Sequence, residues 1–328
     1  MQALTVPMDD LQVSRTKTGS LVFVSSGMQT DHQKLVWVDR IGKEEAVAAP
    51  VRAYLFPRIS PDGKHVAMGI TEEGTHIWSY DLARETLTRI TFQGNQNLNA
   101  VWSPDGKKLA FRSHLEASDG IYLKRSDGSG ELQKLISSDR AKIPMSWSRD
   151  GQTIAFMEIN STTGFDLWIL PLNEGTPRLF LQTPFNESAP RFSPDGRWLT
   201  YVSNESGRYE IYVLAYPGPG GKLQISTNGG TEPVWNPNGR ELFYRSGNKM
   251  MVVDVASQTS FSAGKPRILF EGRFLPTPAT SPNYDVSPDG QRFLMVKAVE
   301  PEEQSATQIN IVFNWFEELK RRVPPGSN

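Results

Sequence analysis

Aspartates followed by glycine recur along this 328-residue chain in a pattern that invites a metal-binding or acid–base reading. Asp62, Asp105, Asp195 and Asp289 stand in Ser-Pro-Asp-Gly, Asp150 stands in Ser-Arg-Asp-Gly, and Asn236 to Gly239 supply a related Asn-Pro-Asn-Gly. Carboxylates that met at one point could hold a hard cation such as calcium or activate a water. The same residue order also has a conformational explanation. Pro presets φ at the second position of a turn, Asp bonds its own backbone, and Gly takes a positive φ without steric cost. Spacing decides between the two: the glycines fall at 63, 106, 151, 196, 239 and 290, so each copy belongs to a different repeat of about 44 residues and serves as a turn.

Other residues with chemical potential are scattered. His32, His65, His76 and His114 show no His-Glu-x-x-His or other ligand spacing and read as surface positions. The chain has no cysteine, which excludes disulfides, thiolate zinc sites and thiol nucleophiles. Gly218 to Lys222 spell GPGGK, but Leu223 stands where a phosphate loop needs Ser or Thr, and a strand pattern follows. Ser14 to Lys17 and Lys17 to Gly19 resemble β-lactamase motifs, yet they overlap in one turn instead of meeting across a cleft. No Gly-x-Ser-x-Gly elbow occurs, nor a kinase Gly-rich loop, His-Arg-Asp or Asp-Phe-Gly motif. With 35 basic and 36 acidic residues, a nucleic-acid partner held by phosphate contacts is not expected. No window has the length and apolarity of a membrane span, and MQALTVPMDD lacks the pattern of a signal peptide, so no membrane insertion by this chain is expected.

The elements that carry these residues are short strands. A bulky residue precedes most turns (Ile59, Trp102, Trp147, Phe192, Trp235, Val286), and an apolar run follows each of them: VAMGI, LAFRS, IAFME, LTYVS, LFYRS and FLMVK. A third strand carries Ile77-Trp78, Ile121-Tyr122, Leu167-Trp168 or Ile211-Tyr212, and a fourth carries LTRIT, LQKLI, PRLFL, LQIST or PRILF. Four-stranded units at this period make an all-β β-propeller. An eroded upstream copy, LQVSRTKTGSLVFVS, places Gly19 in register with Gly63 and predicts seven blades. They span about 11–50, 54–93, 98–137, 142–182, 187–228, 231–271 and 281–314, with residues 3–6 as the closing strand. Six blades, with 11–50 left unassigned, is the alternative. NWFEELKRRVPPG predicts a short helix over about 314–322.

Counting back four residues from each turn gives Asp10, Phe56, Asn99, Pro144, Ala189, Glu232 and Asn283; counting back two gives Gln12, Arg58, Val101, Ser146, Arg191, Val234 and Asp285. The polar members of these innermost-strand positions are candidates for the central channel. Arg58, Asn99, Glu187, Arg191, Glu232, Asn283 and Asp285 form the candidate ligand-binding set. Asp10, Asn99, Glu232 and Asn283 offer oxygen ligands for a divalent cation such as calcium.

The repeated W/F-SPDG followed by an Ile/Leu-Ala-Phe/Tyr strand resembles the TolB-type, WD40-like propeller repeat over essentially the whole chain. The run LQTPFNESAPRFSPDGRWLTYVSNESGRYEIYV, then GPGGKLQISTNGGTEPVW, and the ending NWFEELKRRVP resemble more closely the propeller that follows the kinase domain in many bacterial serine/threonine protein kinases. That resemblance implies a non-catalytic sensor or scaffold that binds a protein, peptide or small molecule, and the chain is expected to be a monomer. Its compartment would be periplasmic or extracellular if a membrane-anchored kinase carries it, and cytoplasmic otherwise. The alternative, by architectural analogy with lactonase propellers, is a metal-dependent hydrolase of lactones, esters or phosphate esters with its site in the channel.

Overall fold

The computed structural model describes residues 12–15, 21–24, 32–115, 118–218, 220–257, 260–277, 281–299 and 309–312, and among these every regular element is a strand. The chain divides into two compact units, Gln33–Lys297 and the pair of flanking stretches Met1–His32 and Ala298–Asn328.

Gln33–Lys297 forms a ring of six antiparallel sheets. Blade 1 consists of Ala53–Ile59, His65–Thr71, Thr75–Asp81 and Thr86–Arg89. Blades 2 to 4 repeat that order, with innermost strands Asn97–Trp102, Lys142–Trp147 and Glu187–Phe192. Blade 5 begins with Thr231–Trp235 and ends with Arg267–Glu271, and a short extra pair at Ser262–Ala263 extends the third strand. Blade 6 takes Tyr284–Val286 and Arg292–Ala298 from late in the sequence and Gln33–Asp39 and Glu44–Ala46 from early in it. Each innermost strand touches those of both neighbours, and Tyr284–Val286 touches Ala53–Ile59, which closes the ring.

Apolar side chains alternate along the strands and meet between blades. Val36 and Val38 of blade 6 pack with Phe243, Met250 and Val252 of blade 5 and with Phe293. The rings of Phe243 and Phe293 meet edge to face with centroids 4.9 Å apart. Arg40, just past Gln33–Asp39, ties the same two blades with a bidentate ion pair to Glu241 at 2.6 and 3.0 Å.

The expected seven blades are corrected to six. Leu21–Val24 pairs with Gln12–Arg15 on one side and with Ile309–Val312 on the other in a separate three-stranded sheet, so the upstream repeat copy is not a blade. The blade expected over 281–314 would take its third strand from residues 309–313, but that place is filled by Gln33–Asp39, whose Leu35, Val36 and Val38 are buried. Closure thus rests on residues 33–46, two strands from each side of the seam. The proposed closing strand 3–6 and the helix 314–322 lie outside the described residues.

The turns are built as their residue order implies. In blade 2, the Ser103 hydroxyl donates to Asp105 at 2.6 Å, Asp105 accepts the Lys107 amide at 3.1 Å, and the Ser103 oxygen accepts the Lys108 amide at 2.9 Å. The same bonds recur at Ser60, Ser148, Ser193 and Ser287. Gly106 stands at φ +70°, where a side chain is disfavoured. Each aspartate is therefore engaged within its own turn.

Candidate functional site

The innermost strands carry a recurring bulge that sets the channel lining. Pairing to the second strand slips between Leu55 and Arg58, between Pro144 and Ser146, between Ser188 and Arg191, between Thr231 and Val234, and opposite Asn99 in blade 2. Phe56, Asn99, Ala189 and Glu232 occupy positive φ, from +51° to +58°. These are the residues that stand four before each turn. Pro144 holds the same place in blade 3, where its ring forbids that φ. A bulge re-aims its side chains and increases local twist, which explains why the position repeats while its residue type does not.

Polar groups at this level bind the inner strands to one another. Glu232 is buried, and its two carboxylate oxygens accept the Thr277 and Asn283 amides at 3.2 and 3.0 Å. Burial raises its pKa against the opposing pull of Arg245, those two amides and Arg58. Asn283 Oδ1 accepts the Phe56 amide at 2.9 Å across the closing seam. Asn99 Nδ2 donates to Ser281 Oγ at 2.7 Å, and the Tyr284 hydroxyl donates to the Glu232 carbonyl at 2.9 Å. The strained backbone at Phe56 and at Glu232 is thus held by side chains of blade 6, Asn283 and Tyr284.

Two residues further along the strands, Asp285 Oδ2 accepts the Ile59 amide at 2.8 Å, and Ser146 Oγ accepts the Phe192 amide at 3.1 Å. Arg58 is buried and donates through Nη1 to the carbonyls of Pro57, Pro282 and Tyr284 at 2.7, 2.9 and 3.3 Å. Burial, reinforced by the nearby Arg191 charge, pushes Arg58 down to about 9, with Asp285 and Glu232 acting against it. Indole N–H groups fasten the same level: Trp102 donates to the Arg58 carbonyl at 2.9 Å and Trp235 to the Arg191 carbonyl at 3.3 Å.

Of the candidate ligand set, Arg58, Arg191, Glu232 and Asp285 share one electrostatic neighbourhood in the channel, and Asn283 is bonded to Glu232. Asn99 joins through Ser281, two residues from Asn283. Glu187 belongs elsewhere. It accepts the Thr183 hydroxyl, one of its oxygens is buried with no partner, and burial raises its pKa with help from Asp166 and Glu205. Asp10 of the candidate metal set lies outside the described residues, and among the described residues no three His, Asp or Glu side chains converge as a metal-holding group. Sequence spacing missed Arg245, which stands on a second strand where the counting rule does not look; it is buried and donates to the carbonyls of Gly247 and Phe274 at 3.1 and 3.4 Å.

Comparison with known proteins gives this architecture a family. The chain is 25% identical over 252 residues to an uncharacterized protein of Agrobacterium fabrum, covering 74% of this chain and 83% of that one. It is 25% identical over 174 residues to the Tol-Pal system protein TolB of Helicobacter pylori, covering 52% of this chain and 42% of that one, so it spans less than half of that relative. A putative TolB from Agrobacterium tumefaciens superposes with a TM-score of 0.67 at 22% identity, covering 82% of this chain and 99% of the other, and shows the same fold. The model of the TolB beta propeller domain matches residues 20–164 and 120–312, and this chain belongs to that family.

Proposed function

We propose that this chain is a non-catalytic binding module that receives a protein or peptide at one mouth of its propeller, as a sensor or scaffold. The observation that carries the reading is the engagement of the channel's carboxylate and amide side chains. Glu232, Asn283 and Asn99 bond backbone amides or a neighbouring hydroxyl, so they make a rigid polar opening and leave no free nucleophile–base pair among themselves. Family membership supports the same reading, since the Helicobacter pylori relative is by its name a component of a Tol-Pal system. The sequence resemblance to kinase-attached propellers extends the proposal: the ring is the sensing part of a longer chain and works outside the cytoplasm.

A photo-crosslinking residue placed at Phe56, on a channel bulge, and another at Gly175, on an outer turn, separate the alternatives. Partner crosslinks from position 56 and none from position 175 are expected. Crosslinks confined to position 175 would move binding to the outer rim. Turnover of an ester or lactone panel that disappears in Glu232→Ala would replace the module with an enzyme.

A further inference from the structure

Opposite innermost strands bring two guanidinium groups toward one axis with too few carboxylates to match them. Blade 1 supplies Arg58 and blade 4 supplies Arg191, so they face each other across a ring of six. The Arg191 charge lowers the pKa of Arg58, and Asp285 acts on both.

Their partners differ. Arg58 Nη1 has three carbonyl acceptors while its Nε has none, whereas both Nε and Nη2 of Arg191 are closed off from water and meet no acceptor among the described residues, although the residue as a whole stays partly exposed. Asp285 is the carboxylate acting on Arg191 among the described residues, and it is shared with Arg58 and bonded to the Ile59 amide. Glu232 faces Arg245 first and Arg58 second. A guanidinium keeps its proton at neutral pH, and a buried charge without a partner is strongly destabilising. Among the described residues, Arg58, Arg191 and Arg245 stand against Asp285 and Glu232, which leaves one positive charge unmatched, and a buried polar group without a partner in a native fold calls for an explanation.

We infer that the channel binds one carboxylate group, held by the guanidinium fork of Arg191 with the facing charge of Arg58. A carboxylate matches the planar fork and supplies the single negative charge that is missing. A phosphate dianion would exceed that need and would be repelled by Asp285. The carboxylate enters from the exposed side of Arg191, and a turn about the last torsions of that side chain presents the edge that now lacks an acceptor. A free small acid and an acid carried on a peptide offer the same group, so this site stands or falls independently of the protein-binding reading.

The indole signals of Trp235 and Trp102 report on the site, because those N–H groups donate to the carbonyls of Arg191 and Arg58. The full chain, labelled with 15N-tryptophan, is titrated with acetate, succinate and inorganic phosphate at constant ionic strength. A saturable shift of the Trp235 signal with either carboxylate is expected, with a rise in melting temperature. Arg191→Gln is expected to weaken the response by about tenfold or more, and Arg84→Gln, on an exposed turn, leaves it unchanged. No saturable shift in the unmodified chain, an equal response in Arg191→Gln, or phosphate binding as well as acetate would overturn the inference. A peptide with a free C-terminal carboxylate, set against its amide, distinguishes a chain terminus from a free acid, and a response to either carboxylate source supports the site. If Arg191→Gln does not fold, the titration of the unmodified chain decides.

Discussion

A hydroxyl two residues before an aspartate fixes the charge state of the repeated turns. In Asp62, Asp105, Asp150 and Asp289 the serine bond is the largest influence and holds the carboxyl below its ordinary pKa of 3.8. A carboxyl whose pKa is lower in the folded state than in the unfolded chain contributes stability above its ordinary pKa and loses it as pH falls through the lowered value. Asp105→Asn is therefore expected to melt below the unmodified chain at pH 7, and the two curves should converge as pH is taken down to about 2. Thermal melts at several pH values check this, and a gap that stays constant across the range would contradict it. The turn role of these residues was readable because proline, aspartate and glycine each have a local conformational reason for their place. Arg245 and Glu187 were harder to place, since their environments are made by distant strands and no short motif encodes them.

At the scale of the strand, the seam of the ring depends on residues that the repeat pattern did not expose. Gln33–Asp39 completes blade 6, and Leu35 at its centre is fully buried among Tyr54, Leu294 and Val296. Leu35→Ala is expected to lower stability by about 2–5 kcal/mol, read as a shift of the urea midpoint with little change of slope. A loss well under 1 kcal/mol would mean that the seam relaxes around the cavity. Blades 1 to 5 were legible from alternation and turn spacing alone, because each is contiguous in sequence. Blade 6 was not, because its halves are separated by most of the chain and no local signal says which early strand pairs with which late one. The bulge itself is marked in the sequence for a related reason: in four blades its positive-φ residue stands four positions before the turn.

For the molecule as a whole, closure of the ring by residues 33–46 leads to a prediction about fragments. A fragment of residues 33–297 retains all six blades and is expected to unfold in one cooperative transition, with the far-ultraviolet circular-dichroism signal of β structure intact. Removing residues 33–46 as well takes away two strands and opens blade 6, and this shorter fragment is expected to lose cooperative melting in calorimetry. If both fragments melt alike, residues 33–46 do not close the ring.

The seam has one more consequence. The early strand Gln33–Asp39 and the late strand Arg292–Ala298 lie side by side in blade 6, and just outside them the Val299 amide donates to the His32 carbonyl at 2.8 Å. The polypeptide thus arrives and departs at neighbouring points, like the two legs of a staple. A host protein could carry these residues as a cassette grafted into a single surface loop, with its own ends barely displaced, and a circular permutant joined across this gap would need only a short linker.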